Sequence, residues 1–259
     1  MTKTVRLSLL VLGLSSALFP QTPSNSNDNQ NPPLPPYERP VSWKLLVPNI
    51  AHDQVHIWTF PTRVFRNRNW IPTVLVLGTT AGLIAGVDPP AGRYFRRTNS
   101  FHGFNSVFNG TATSAGIAAA PVSLYVAGII GKDSYARDTA LLAGEAVGDA
   151  EIVTAIFKAA DRRLRPNNLP PSSSFGDTWF EGHGLSHGSF PSGHTIAAFS
   201  VATVISRRYP KHRWVPYVAY GLAGLVGFSR MTTSAHFPAD VFMGAAMGYS
   251  ISRFSVLKQ

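Results

Sequence analysis

The feature that most constrains this chain is a succession of apolar segments, at residues 73–87, 111–131, 139–160, 194–208, 215–228 and 240–254, divided by polar turns. Ala, Leu, Ile, Val and Gly dominate them, and none alternates apolar and polar residues for long, so they read as helices rather than strands. The expected fold is all-α: a helical bundle of about six core helices. No heptad pattern or internal repeat suggests a coiled coil or a solenoid. The 259 residues suffice for one sizeable core and do not require two.

Charged residues make up only 14% of the chain, yet the net charge is +10. That balance favours anionic partners: phosphorylated substrates, acidic lipid headgroups or nucleic acid. Nucleic acid is the poorest of these, because no basic stripe with interleaved aromatic residues is present. The absence of cysteine removes disulfides and thiolate metal sites. At the start, Lys3 and Arg6 precede an apolar run over residues 7–19 that ends near Ser15, Ser16 and Ala17. This reads as a cleaved signal peptide over residues 1–19, in preference to an uncleaved anchor, and implies export to the cell envelope.

Residues 20–42 form a Pro/Asn-rich stretch expected to be an extended, mobile linker. Residues 43–70 flank the helical domain, which spans 71–259. Trp43, Trp58, Phe60, Phe65 and Trp70 are expected in a packed core rather than at a membrane interface. Arg207, Arg208, Lys211, His212 and Arg213 suit a cytoplasmic loop, which would put the opposite ends of the helices outside. Glu145, Asp149 and Glu151 must then face the bundle interior. A cleaved signal leaves residues 20–70 outside, which six spans of that orientation do not allow. Spanning and peripheral arrangements are therefore both compatible with the pattern.

Three blocks carry chemistry. The first runs from Lys158 through Asp161-Arg162-Arg163-Leu164-Arg165-Pro166. Lys158 and Arg165 share a face if the helix continues, and together they suit a tetrahedral oxyanion. The second is Phe190-Pro191-Ser192-Gly193-His194, at the start of a helix. There the N–H groups of Ser192 and Gly193 would point outward unpaired, ready for an anion, and His194 could protonate a leaving oxygen. The third contains Ser229-Arg230 and His236-Phe237-Pro238-Ala239-Asp240. A carboxylate four residues beyond His236 could fix its tautomer and leave the other ring nitrogen free to attack. Each block alone has a bland structural reading; two histidines, three cations and a helix start converging on one phosphate do not.

In order and spacing these blocks resemble the three-part motif of the type 2 phosphatidic acid phosphatase superfamily, over roughly residues 73–254. The resemblance implies a helical bundle with its active site at one end. His236 would be the nucleophile that forms a phosphohistidine, Asp240 its orienting carboxylate and His194 the general acid. Lys158, Arg165, Ser192, Gly193 and Arg230 would bind phosphate, with no metal and no other cofactor. The implied substrates are phosphomonoesters, above all lipid phosphates such as phosphatidic acid or polyprenyl pyrophosphate. Alternatives are a secreted acid phosphatase acting on small esters, a vanadium haloperoxidase, whose motif is shared but whose chain is longer, and a non-catalytic binder of anionic lipid. His183 and His187 read as part of a mobile loop rather than a metal pair, and His102 lies in a polar loop that faces the active site in membrane members.

Overall fold

The computed structural model describes residues 39–64, 70–170, 172–173, 175–182 and 188–257. The expected signal peptide, residues 20–38 of the linker, Phe65, His183 and His187 lie outside the described residues. Among those residues the protein is all-α, as its apolar segments require, with no strand.

Ten α-helices follow in order: α1 (Leu46–Trp58), α2 (Phe60–Val64), α3 (Trp70–Gly86), α4 (Asp88–Arg97), α5 (His102–Val107), α6 (Gly110–Ile130), α7 (Ser134–Asp161), α8 (Gly193–Arg208), α9 (Val215–Thr232) and α10 (Pro238–Ile251). The six apolar segments are α3 and α6 to α10. A π-helical turn, Ser252–Val256, completes the last of them. Asn109 and Asp133 cap α6 and α7 by accepting from Ala112 N–H at 2.9 Å and Ala136 N–H at 3.1 Å.

Helix α8 is the hub, packed against α7, α9 and α10. Ile196, Ala197, Val201, Ala202 and Val204 are buried around its whole circumference, which is why its sequence shows no polar face. Close approach of α10 depends on Gly244: a Cβ there would lie 2.9 Å from the Ser192 carbonyl oxygen. This contact brings the start of α8 beside the start of α10, where two of the three motif blocks meet.

Helix α6 lies outside this core. It has the length and hydropathy to cross a bilayer, 21 residues with a mean hydropathy of 1.6 over an 18-residue stretch, and its Val122, Val126, Ile129 and Ile130 are exposed. The pair α3 and α4, bent by 56°, passes the same test together. Ile71, Val74, Leu75 and Leu77 of α3 are likewise exposed.

The aromatic residues of the flanking segment depart from expectation. Trp43, Trp58, Phe60 and Trp70 are 64%, 42%, 41% and 46% exposed, not packed in the core. The interior is filled by the small residues of α7 and α8, so the rings lie on the outside and use their polar edges: Trp43 Nε1 donates to Tyr125 Oη at 2.7 Å. Arg208, expected in a basic loop, is buried over the Tyr135 ring and donates to Thr139 Oγ1 at 3.0 Å.

Helix α1 is fastened to α7 by a polar cluster instead. Glu145 and Asp149 face inward, as their cost against lipid requires, and are fully buried, whereas Glu151 is exposed. Arg39 pairs with Glu145 and with Asp53 at 2.7 Å. Asn49 Nδ2 donates to Glu145 at 2.7 Å, and Gln54 Nε2 to Asp149 at 2.8 Å. Arg39→Ala would leave two buried carboxylates without their cation and is expected to cost about 3 kcal/mol of stability, read as a lowered thermal midpoint. A midpoint equal to wild type would contradict this role.

Candidate functional site

Helix α7 ends at Asp161 because Arg162 adopts a left-handed conformation with φ 43°. Lys158 and Arg165 are therefore not on one continuous helical face, contrary to the sequence expectation. The chain turns back, stabilised by Arg163 N–H donating to Asp161 Oδ1 at 2.9 Å, and this turn sends the Arg163 side chain inward. Arg163 is 1% exposed and sits over the rings of Trp179 and Phe237, at 4.6 and 4.3 Å. Its Nη1 donates to Asp240 Oδ1 at 2.5 Å, its Nη2 to Asp88 Oδ2 at 2.6 Å and its Nε to Thr178 Oγ1 at 3.2 Å.

Asp240 is thus held by Arg163 rather than by a direct hydrogen bond to His236. Its Oδ2 accepts from Ser189 Oγ at 2.5 Å and from Phe237 N–H at 2.8 Å, but lies 3.6 Å from His236 Nδ1. That separation exceeds a hydrogen bond. The Nδ1 of His236 points instead at the Ser189 carbonyl oxygen, 2.6 Å away. A carbonyl only accepts, so Nδ1 carries the proton and Nε2 keeps its lone pair. The carboxylate reaches His236 through Ser189, which touches both.

Electrostatics favour the same protonation state. Burial pushes the His236 imidazole below its ordinary value; Asp240 opposes this, while the Arg165 and Lys158 charges add to it. The ring is neutral at neutral pH. Burial alone would raise Asp240, but Arg163, His236 and Ser189 override it and hold the carboxyl below its ordinary range, so it is ionised.

At the start of α8, the Ser192 N–H is not free as expected: it donates to the Asp240 carbonyl at 3.1 Å. The first intrahelical bond runs from Ile196 N–H to Ser192 C=O, which leaves the N–H groups of Gly193, His194 and Thr195 without intrahelical acceptors. Lys158 Nζ comes to this point; a Cβ on Gly193 would lie 3.6 Å from it. Ser192 is fully buried and accepts at Oγ from Thr195 Oγ1 at 2.8 Å.

The other wall is built by the start of α6. His194 Nε2 lies 2.9 Å from Ser114 Oγ and 3.2 Å from the Gly110 carbonyl oxygen. Arg230 donates to the Phe108 carbonyl and, through Nε, to Ser229 Oγ at 3.0 Å. Burial, and then the neighbouring Arg230 charge, push His194 down to about 4. All eight residues singled out in the sequence thus lie around the starts of α8 and α10 and the ends of α7 and α9. His102, by contrast, is exposed at the start of α5. Among the described residues no group of three or more His, Asp or Glu is arranged to hold a metal ion.

Sequence reasoning missed Asp88, Arg163, Ser189 and Ser114. Arg163 was visible inside the first block, and Asp88-Pro89-Pro90 carries a helix-start signal. Ser189 and Ser114 act through tertiary contacts that no spacing encodes.

Residues 139–259 match the family model described as the PAP2 superfamily, and this stretch holds all three motif blocks. It is a PAP2 superfamily domain. The match starts well after residue 73, so α3 to α6 fall outside it. The chain is 34% identical over 99 residues to a lipid A 1-phosphatase of Rhizobium etli, covering 38% of this chain and 40% of that protein. It is 38% identical over 73 residues to the undecaprenyl-diphosphatase BcrC of Bacillus subtilis, covering 27% and 36%. The chain spans less than half the length of these curated relatives. A transmembrane PAP2-type phosphatidylglycerolphosphate phosphatase from Bacillus subtilis superposes with a TM-score of 0.48 at 22% identity, over 71% of this chain and 91% of that one.

Proposed function

We propose that this protein is a metal-independent phosphatase of lipid phosphomonoesters or diphosphates that works through a phosphohistidine. The observation that carries the reading is the His236 ring: buried, neutral, locked through Nδ1 onto the Ser189 carbonyl, with Lys158 and Arg165 close enough to perturb it. Phosphoryl transfer asks mainly for such positioning and charge neutralisation.

In the first step Nε2 of His236 attacks phosphorus. The N–P bond forms, the bond to the ester oxygen breaks, and the leaving oxygen takes a proton from His194. Water then attacks the phosphohistidine, giving its proton to His194. The N–P bond breaks, and inorganic phosphate and the free imidazole are released. Lys158, Arg165, Arg230 and the N–H groups at Gly193 bind the phosphate oxygens throughout. In the empty site His194 is depressed by burial and by Arg230; a bound phosphate offsets that cation and raises His194 towards the value an acid needs.

A lipid substrate is supported by the exposed apolar faces of α3 and α6 and by relatives named for lipid A and undecaprenyl diphosphate. Export, with the site facing the periplasm or exterior, is the matching localisation. The test is phosphate release in EDTA from phosphatidic acid in uncharged detergent and from p-nitrophenyl phosphate. Faster turnover of the lipid is expected; a preference for the small ester would overturn the lipid reading.

The same pair of substrates tests His194. Para-nitrophenolate leaves without help, whereas an alkoxide needs a proton. His194→Gln is expected to cost about 10²–10⁴-fold on phosphatidic acid, the range for a general acid, and at least about tenfold less on p-nitrophenyl phosphate. Equal losses on both would remove His194 from the acid role.

A further inference from the structure

Helix α4 carries Arg93, Arg96 and Arg97, which the mechanism above does not use. Arg93, Tyr94, Arg97 and Thr98 bound a cavity of about 340 Å³. Arg93, Arg96, Arg97 and Phe175 bound a second of about 240 Å³, so the two share a basic wall. Arg96 and Arg97 take part in no ion pair among the described residues, and Arg97 is exposed.

This helix is fixed to the catalytic segments at three points. Asp88, at its start, accepts from Arg163 Nη2 at 2.6 Å and from Ala239 N–H at 2.9 Å. Midway, Gly92 lies so close to the residue following His236 that a Cβ would come within 2.9 Å of the Phe237 ring and 2.8 Å of the Phe175 ring. One turn later Arg96 Nη1 reaches the carbonyl oxygen of Pro166, next to Arg165, at 3.5 Å, and its guanidinium lies 5.8 Å from the centroid of the Phe175 ring. The groove therefore lies on the helix that braces the catalytic segments, with Arg96 next to the Arg165-Pro166 turn. The guanidinium groups of Arg96 and Arg97 suit the paired oxygens of a phosphate. The rings of Tyr94 and Phe175 give an uncharged surface for the part of the substrate between its charges.

We infer that the α4 groove binds a second phosphate group, carried on the same substrate molecule whose first phosphate lies at His236. The inference rests on the phosphatase reading for its first phosphate, and it narrows the substrate class to amphiphiles with two separate phosphate groups.

The test is calorimetric titration of the full chain, in uncharged detergent, with non-hydrolysable alkane bisphosphonates of increasing length and the matching alkyl monophosphonates. One bisphosphonate length is expected to bind at least about tenfold tighter than its monophosphonate, a difference of about 1.4 kcal/mol. In Arg97→Gln and in Arg96→Gln that ratio should fall towards one, and Arg96→Lys should recover part of it. A wild-type ratio of one at every length would overturn the inference, as would a ratio unchanged in both glutamine variants. If the variants keep the ratio but lose binding to phosphatidylglycerol vesicles, the arginines serve the membrane surface and the inference again falls. Absence of phosphate release from wild type would sink the phosphatase reading alone, since the binding ratio does not depend on turnover.

Discussion

His236→Asn is expected to lower phosphate release from phosphatidic acid by on the order of 10⁴–10⁶-fold, the scale on which covalent nucleophiles fail when removed. Asparagine keeps an N–H donor that can reach the Ser189 carbonyl, so the local packing survives while the attacking Nε2 is lost. Lys158, Arg165 and Arg230 remain, so substrate affinity should change far less than turnover. A variant that retained more than about a tenth of wild-type turnover would remove His236 from the chemistry, since covalent catalysis admits no such residue of activity.

The second large effect is at Arg163. Its guanidinium joins Asp88 at 2.6 Å and Asp240 at 2.5 Å, with all three side chains buried. Arg163→Met keeps the apolar contact with Trp179 and Phe237 but leaves two buried carboxyl groups facing each other without a cation. Breaking a buried pair in this way costs about 3–5 kcal/mol, so a large fall in the thermal midpoint is expected. Turnover should fall as well, because Asp240 then loses the bond that holds it beside Ser189. Arg163→Lys restores the charge but cannot span both carboxylates as a planar fork does, so it should recover only part of the loss. Wild-type stability in Arg163→Met would show that the two carboxylates find other partners or protons.

How much of this was legible beforehand follows from the range of each interaction. The six apolar segments became helices with ends shifted by a few residues, because burial all round α8 and an exposed apolar face along α6 both leave long runs without charge. The eight motif residues could be picked out because each block lies at a helix end, where turn residues and unpaired backbone groups leave a local signature. Their connections were not legible. The expected His236–Asp240 hydrogen bond is replaced by a path through Ser189, forty-seven residues before His236. The expected shared face of Lys158 and Arg165 is broken by the left-handed Arg162. The aromatic residues near Trp43 and Trp58 fooled a burial argument because small side chains already fill the interior. Arg39, in a stretch whose composition reads as linker, reaches Glu145 on a helix more than a hundred residues away.

The central claim is that phosphate passes through a covalent bond to His236, and trapping that bond tests it most directly. Wild-type protein is mixed with phosphatidic acid carrying radiolabelled phosphate, quenched within one turnover in alkaline dodecyl sulfate, digested and mapped. The expected result is label on the peptide containing His236, stable to alkali, released by mild acid and missing in His236→Asn. Turnover without any trapped label on that peptide, or with label that resists acid or maps to His194, would contradict it.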